Sequence, residues 1–154
     1  MKTQIDWDDL YLELASVVAK QSYDEKHKVG AVIVKDGNII SFSYNGTLSG
    51  HCNETRDSSG KTLKGVLHAE AQAIAKVARS NQSTENATMY TTLSPCIECA
   101  KLIVSAGIRR VVYQDLYKNV DGINYLNTAA VLVNYQTDIN QLATPEWLAK
   151  SGLL

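Results

Sequence analysis

The sequence predicts an α/β fold, a mixed sheet with helices on both faces. Three observations carry this expectation. Two apolar runs, 29–34 and 39–44, flank Lys35-Asp36-Gly37-Asn38, whose Asp-Gly step suits a tight hairpin turn. After that hairpin, helix-like and strand-like stretches alternate, which calls for crossover helices packed on a sheet with right-handed connections. An amphipathic segment ahead of the hairpin supplies a further helix.

That first segment is WDDLYLELASVVAK, residues 7–20, in which Trp7, Leu10, Tyr11, Leu14, Val17 and Val18 recur at spacings of three and four behind Asp6 as N-cap. The hairpin follows. Residues 47–67, TLSGHCNETRDSSGKTLKGVL, have neither periodicity, and a loop of that length in a compact domain is usually functional or disordered. Residues 68–79, HAEAQAIAKVAR, are rich in helix formers, and NQSTENA breaks them. Residues 88–93 predict a strand, CIECAKLIVSAG a helix closed by Gly107, RRVVYQ a strand and DGINYLNTAAVLVN a further helix. Thr144-Pro145-Glu146 before WLAKSG reads as N-cap, N1 proline and first-turn acid of another helix, closed by Gly152.

The 154 residues have the size of one ordinary domain, so a single domain over 1–154 is expected. With 45% hydrophobic and 20% charged residues the composition is that of a globular protein rather than a disordered or fibrous one. The formal net charge of -1 gives no global attraction for a polyanion, so nucleic acid is not an expected partner. The opening MKTQIDWDDL carries acids where a secretory signal would be apolar, and no apolar run approaches the roughly 20 residues of a membrane span. A cytoplasmic, membrane-free protein is the expectation. Its three cysteines, Cys52, Cys96 and Cys99, include a C-x-x-C pair, which in a reducing compartment points to metal or redox chemistry.

Cys96 and Cys99 stand at i and i+3 on the first turn of a predicted helix, so both sulfurs can face one side, and a helix N-terminus favours thiolates. His68 opens the preceding helix. With strand 88–93 joining the two helices, the helix starts lie side by side and the three donors can converge. A Cys2His set leaves one position of tetrahedral zinc open for water, the pattern of a catalytic site. Two thiolates neutralise the ion and blunt its acidifying effect, so a carboxylate is needed beside it. Glu70, two residues from His68 at a helix entry, can face the same cavity, and an apolar setting raises its pKa towards the working pH. A redox pair would leave His68 and Glu70 without a role.

His-x-Glu followed by Pro-Cys-x-x-Cys is the zinc deaminase signature. His68-Ala69-Glu70 and Pro95-Cys96-Ile97-Glu98-Cys99 make the chain resemble the cytidine deaminase superfamily. KVGAVIV, SYNG, LHAEAQAI, ATMYTTLSPCIECAKLIVSAGIRRVVY and DLYK make it similar, over about residues 7–133, to deoxycytidylate (dCMP) deaminases of the bacteriophage type. The resemblance implies a three-layer α/β/α cytidine-deaminase-like fold with a five-stranded sheet. It implies one catalytic Zn2+ on His68, Cys96 and Cys99, with Glu70 as proton shuttle, converting dCMP to dUMP with release of ammonia for thymidylate synthesis.

The same resemblance implies that Asn45 holds the sugar, that the Ala69 N–H contacts the base carbonyl, and that Tyr117 and Lys118 hold the 5'-phosphate. Arg79 matches a position of subunit contact. A homohexamer is implied, activated by dCTP and inhibited by dTTP, with Mg2+ accompanying the effector nucleotide, in the host cytoplasm for a phage-encoded enzyme. Many relatives carry an arginine near the end of the first helix for the phosphate where this chain has Gln21; either Lys20, Lys26 or Lys28 substitutes, or phosphate recognition is weaker than in the family. His27, His51 and Cys52 fall short of four ligands, so no second zinc is expected. Three rivals stay open: a tRNA adenosine deaminase, a free-nucleoside cytidine deaminase and a noncatalytic zinc-stabilised nucleotide-binding module.

Overall fold

The computed structural model describes residues 6–136. In chain order the elements are α1 (Trp7–Ala19), β1 (Gly30–Lys35), β2 (Asn38–Tyr44), α2 (Ala69–Ala78), β3 (Thr88–Leu93), α3 (Ile97–Ser105), β4 (Arg110–Asp115), α4 (Asp121–Thr128) and β5 (Leu132–Tyr135). The sheet order is β2-β1-β3-β4-β5. β1 is antiparallel to both β2 and β3, whereas β3–β4 and β4–β5 are parallel. It follows that β2, β3, β4 and β5 all run the same way and end at one edge of the sheet.

Local chemistry accounts for the boundaries. Asp6 caps α1, its Oδ1 accepting from the Asp8 N–H at 2.8 Å. Asp36 and Gly37 both take positive φ, +51° and +74°, which is the backbone of the primed hairpin turn that their sequence favours. Gly107, at φ +76°, terminates α3 in the left-handed conformation.

Alternation along the strands sorts the core into two layers. Val32, Val34, Tyr90 and Val112 point to one face, where Tyr11, Leu12 and Ala15 of α1 cover them. Their neighbours Ala31, Ile33, Met89 and Val111 point to the other, against Ala73 and Val77 of α2, Ala100 and Ile103 of α3, and Leu126 of α4. One helix on one face and three on the other make the expected three-layer, five-stranded arrangement.

One predicted element divides. The helix expected over DGINYLNTAAVLVN is α4 followed by β5. Ala130 adopts φ +58°, which ends the helical path, and the Val131 N–H turns back to the Leu126 carbonyl. Val133 and Asn134 then pair with Val111 and Val112 as a short parallel edge strand. The helix expected around Thr144-Pro145-Glu146 lies outside the described residues. Among the described residues no helix is long and apolar enough to cross a membrane.

Candidate active site

The common edge where β2, β3 and β4 end is where ligands of such sheets gather. β2 passes into Asn45 and Gly46. Gly46 and Leu67 exchange two backbone hydrogen bonds, at 3.0 and 2.8 Å, closing the intervening loop and placing His68 beside the end of β2. β3 passes through Ser94 and Pro95 into Cys96, and β4 into Leu116 and Tyr117. The Ser94 N–H donates to Asp115 O at 2.8 Å and Ser94 Oγ accepts from the Tyr117 N–H at 2.7 Å, tying the two exits together.

His68 and Cys96 are the N-caps of α2 and α3, with extended backbone (φ -72°, ψ 150° and φ -71°, ψ 170°), and neither side chain caps its helix. Positions that favour Ser, Thr, Asp or Asn hold an imidazole and a thiol whose donor atoms are turned elsewhere. His68 Nδ1 lies 3.5 Å from Cys96 Sγ and 3.4 Å from Cys99 Sγ. A tetrahedral zinc with bonds of about 2.3 Å to sulfur and about 2.0–2.1 Å to nitrogen separates such donors by about 3.6 Å. The donor set and its spacing therefore fit zinc, and this trio is the group of metal-competent side chains that the described residues bring together.

The protonation states fit as well. The hydrogen bond from Cys99 and the neighbouring His68 hold the Cys96 thiol down to about 3, despite burial. Sharing that proton with Cys96, and burial, push Cys99 up. The Cys96 thiolate raises His68 against the opposing effect of burial. Two adjacent sulfurs thus share one proton, which a divalent cation among them would release.

Glu70, on the first turn of α2, is 4% exposed. Its Oε2 stands 3.7 Å from Cys99 Sγ. Burial raises its pKa, opposed by its own backbone N–H and by His68. A carboxyl in this setting can take and return a proton beside the candidate metal site.

A cavity of about 140 Å3 opens over this cluster, walled by Val29, Asn45, Val66, Ala69, Leu93 and Tyr117 as well as by the trio's His68 and Cys96. Asn45 is firmly held: its Oδ1 accepts from the Val29 N–H at 2.9 Å and its Nδ2 donates to His27 O at 2.7 Å. One Nδ2 hydrogen and one Oδ1 lone pair remain for a ligand. Ala69 has its N–H among the first of α2, which lack an intrahelical acceptor. Lys118 is exposed and stands outside the cavity lining, and Arg79 is exposed at the C-cap of α2, the far end of that helix from the site.

Sequence reasoning missed Asp24 and Arg56, which also line the cavity. Arg56 donates from Nη2 to Asp24 Oδ1 at 2.8 Å and from Nε at 3.2 Å. Asp24 Oδ1 further accepts from the backbone N–H groups of Lys26 and His27 at 2.9 and 2.7 Å. Burial would raise the Asp24 carboxyl, but the His27 N–H, the Arg56 guanidinium and the Lys26 N–H outweigh it and hold it at about 2.

Residues 5–115 match the model of the cytidine and deoxycytidylate deaminase zinc-binding region. The deoxycytidylate deaminase of Mycobacterium phage D29 is 39% identical over 122 residues, covering 70% of this chain and 94% of the relative. That of Schizosaccharomyces pombe is 35% identical over 151 residues, covering 91% of this chain; the chain spans 45% of that longer relative. The crystal structure of the dCMP deaminase from cyanophage S-TIM5, solved in complex with dCMP and dUMP, superposes with a TM-score of 0.84 at 35% identity, covering 88% of this chain and all of that one. The matched region contains the imidazole, both sulfurs and the buried carboxylate, and the chain belongs to the cytidine and deoxycytidylate deaminase family of zinc-binding enzymes.

Proposed function

We propose that this chain hydrolyses dCMP to dUMP and ammonia, with zinc held by His68, Cys96 and Cys99. The observation that carries the reading is the buried Glu70 carboxylate against a His–Cys–Cys trio of zinc dimensions, at the floor of a cavity. The S-TIM5 enzyme, bound to dCMP and dUMP, supports the choice of substrate. When bound, zinc supplies Lewis acidity toward the attacking water. Glu70 takes one proton from that water and delivers it to the pyrimidine N3, then passes the second to the exocyclic amine as the C4–N bond breaks. Ammonia leaves and the C4 carbonyl remains. The Ala69 N–H donates to the base carbonyl oxygen, and Asn45, with its remaining amide hydrogen and lone pair, orients the sugar. Val66 and Leu93 keep bulk water from the base, Tyr117 walls the route to the sugar, and Lys118 on the following loop offers charge to the approaching nucleotide.

Ammonia release from dCMP, deoxycytidine and an RNA stem-loop tests this directly. dCMP should be turned over fastest; a preference for the nucleoside or the RNA would replace the reading with a rival deaminase.

The finer proposals follow from the family likeness. They are a single domain over 1–154, a cytoplasmic location (that of the host for a phage-encoded enzyme) and a homohexamer in which Arg79 meets a neighbouring subunit. dCTP with Mg2+ activates and dTTP inhibits, through the hairpin and the 47–67 loop, which border the cavity. Light scattering reads the assembly, and turnover curves with and without the two triphosphates read the regulation; flat curves would retire it.

A further inference from the structure

The rim of the cavity holds a charge arrangement that the chemistry at its floor does not use. Two cations, Arg56 Nη1 and Lys26 Nζ, donate to one carbonyl, Gly60 O, at 3.0 and 3.2 Å. Arg56 Nη1 also reaches Thr62 Oγ1 at 3.3 Å. The carboxylate paired with Arg56 is Asp24, whose Oδ1 already accepts from Arg56 twice and from two backbone N–H groups. The nearby Asp57 is turned into its own loop, accepting from Ser59 N, Ser59 Oγ and Lys61 N. Glu25, Glu54 and Lys26 line an outer groove rather than the cavity, whereas Arg56 lines both.

Arg56 is therefore the one lysine or arginine among the described residues that line the cavity, and the carboxylate it is paired with is saturated. Of the five guanidinium N–H groups of Arg56, four are engaged; the second hydrogen on Nη2 has no partner among the described residues. The Arg56 side chain is 16% exposed and lines the same cavity as His68 and Glu70. A largely buried arginine that lines a ligand cavity, is clamped on its other edges and keeps one N–H unpaired is a preorganised anion contact, with little rotamer freedom left to lose.

We propose that Arg56, held in place by Asp24, binds the 5'-phosphate of the substrate and so sets the preference for the nucleotide over the nucleoside. This rests on the dCMP reading above and names a residue for it. The arginine absent at Gln21 is thereby replaced by one from the long loop rather than by Lys20 or Lys28. Lys28 is already committed, its Nζ donating to Ser22 O at 2.7 Å.

The test compares kcat and KM for dCMP and deoxycytidine in the wild type and in Arg56→Gln. Because that change strands the buried Asp24 carboxylate, the double variant Asp24→Asn with Arg56→Gln is measured beside it. Loss of one charge-assisted contact should lower kcat/KM for dCMP by about 10- to 100-fold, mainly through KM, while deoxycytidine changes less than about 2-fold. Lys64→Ala removes an exposed charge from the same loop and should leave the ratio of the two substrates as in the wild type. An unchanged ratio in both Arg56 variants, equal losses on both substrates, or an equal shift in Lys64→Ala would each overturn the assignment. If the wild type itself fails to prefer dCMP, the substrate reading falls first, and that outcome is visible before any variant is made.

Discussion

Gly122 lies on the first turn of α4, directly against the loop that delivers Cys96 to the candidate metal site. A Cβ placed there would overlap Pro95 O and come within 2.8 Å of Cys96 C and 2.9 Å of Cys96 O. These atoms are backbone and cannot rotate away, so Gly122→Ala must push α4 and the Pro95–Cys96 junction apart by about 1 Å. Overpacking of this kind costs about 1–3 kcal/mol, which for a domain of this size lowers Tm by roughly 2–12 °C. Because the moved backbone carries one ligand and caps the helix carrying another, zinc affinity should fall by about 10- to 100-fold, the range seen when support around a metal site is lost. Thermal unfolding and competition with a chromogenic zinc chelator measure the two effects. Gly65→Ala is the control, since its Cβ would meet nothing within 4 Å, and it should stay within about 0.5 kcal/mol of wild type. Wild-type zinc affinity in Gly122→Ala would refute the claim that α4 holds the Cys96 junction in place.

Other expectations follow from the same geometry. Glu70→Gln should reduce kcat by about 10²- to 10⁴-fold, while zinc content and Tm stay as in the wild type, because the amide replaces a carboxyl whose charge burial already disfavours; a nucleotide-binding module without catalysis would be indifferent to the change. Asn45→Ala leaves the Val29 N–H and His27 carbonyl unpaired and should cost about 1–3 kcal/mol in urea unfolding as well as substrate affinity. Asp24 is held at about 2, below its ordinary 3.8, so its contribution is full above about pH 4 and is lost as pH falls through about 2. The shift is worth about 2 kcal/mol, and acid titration of Asp24→Asn should lack that pH-dependent loss; identical slopes for wild type and variant would contradict it.

The parts of the site legible in the sequence are those whose geometry is local. Cys96 and Cys99 are one helical turn apart, and Glu70 is two residues from His68, so spacing alone put each pair on one side of a helix start. Juxtaposing the pairs needed β2 and β3 to end at one edge of the sheet, on either side of β1, in keeping with strand 88–93 joining the two helices. The Asp24–Arg56 pair was invisible because its partners are 32 residues apart and Arg56 sits in a stretch with no periodicity. There, position is fixed by side chain to backbone bonds such as Arg56 to Gly60 rather than by a repeating pattern. β5 escaped for a different reason. Four residues on a sheet edge give too short a run to show alternation, and the preceding Asn127-Thr128-Ala129-Ala130 reads as a continuing helix until the positive φ of Ala130 reverses it. The hairpin, by contrast, was announced by a single dipeptide, because Asp36-Gly37 is one of few pairs comfortable with two successive positive φ values.

Metal quantitation on protein purified without chelators or added metal, coupled to an ammonia-release assay with dCMP, bears most directly on the central claim. One zinc per chain is predicted, with turnover that disappears as a chelator strips the metal, returns in proportion to zinc restored, and is absent in Cys96→Ser. Steady turnover of dCMP by protein that contains no transition metal would contradict it.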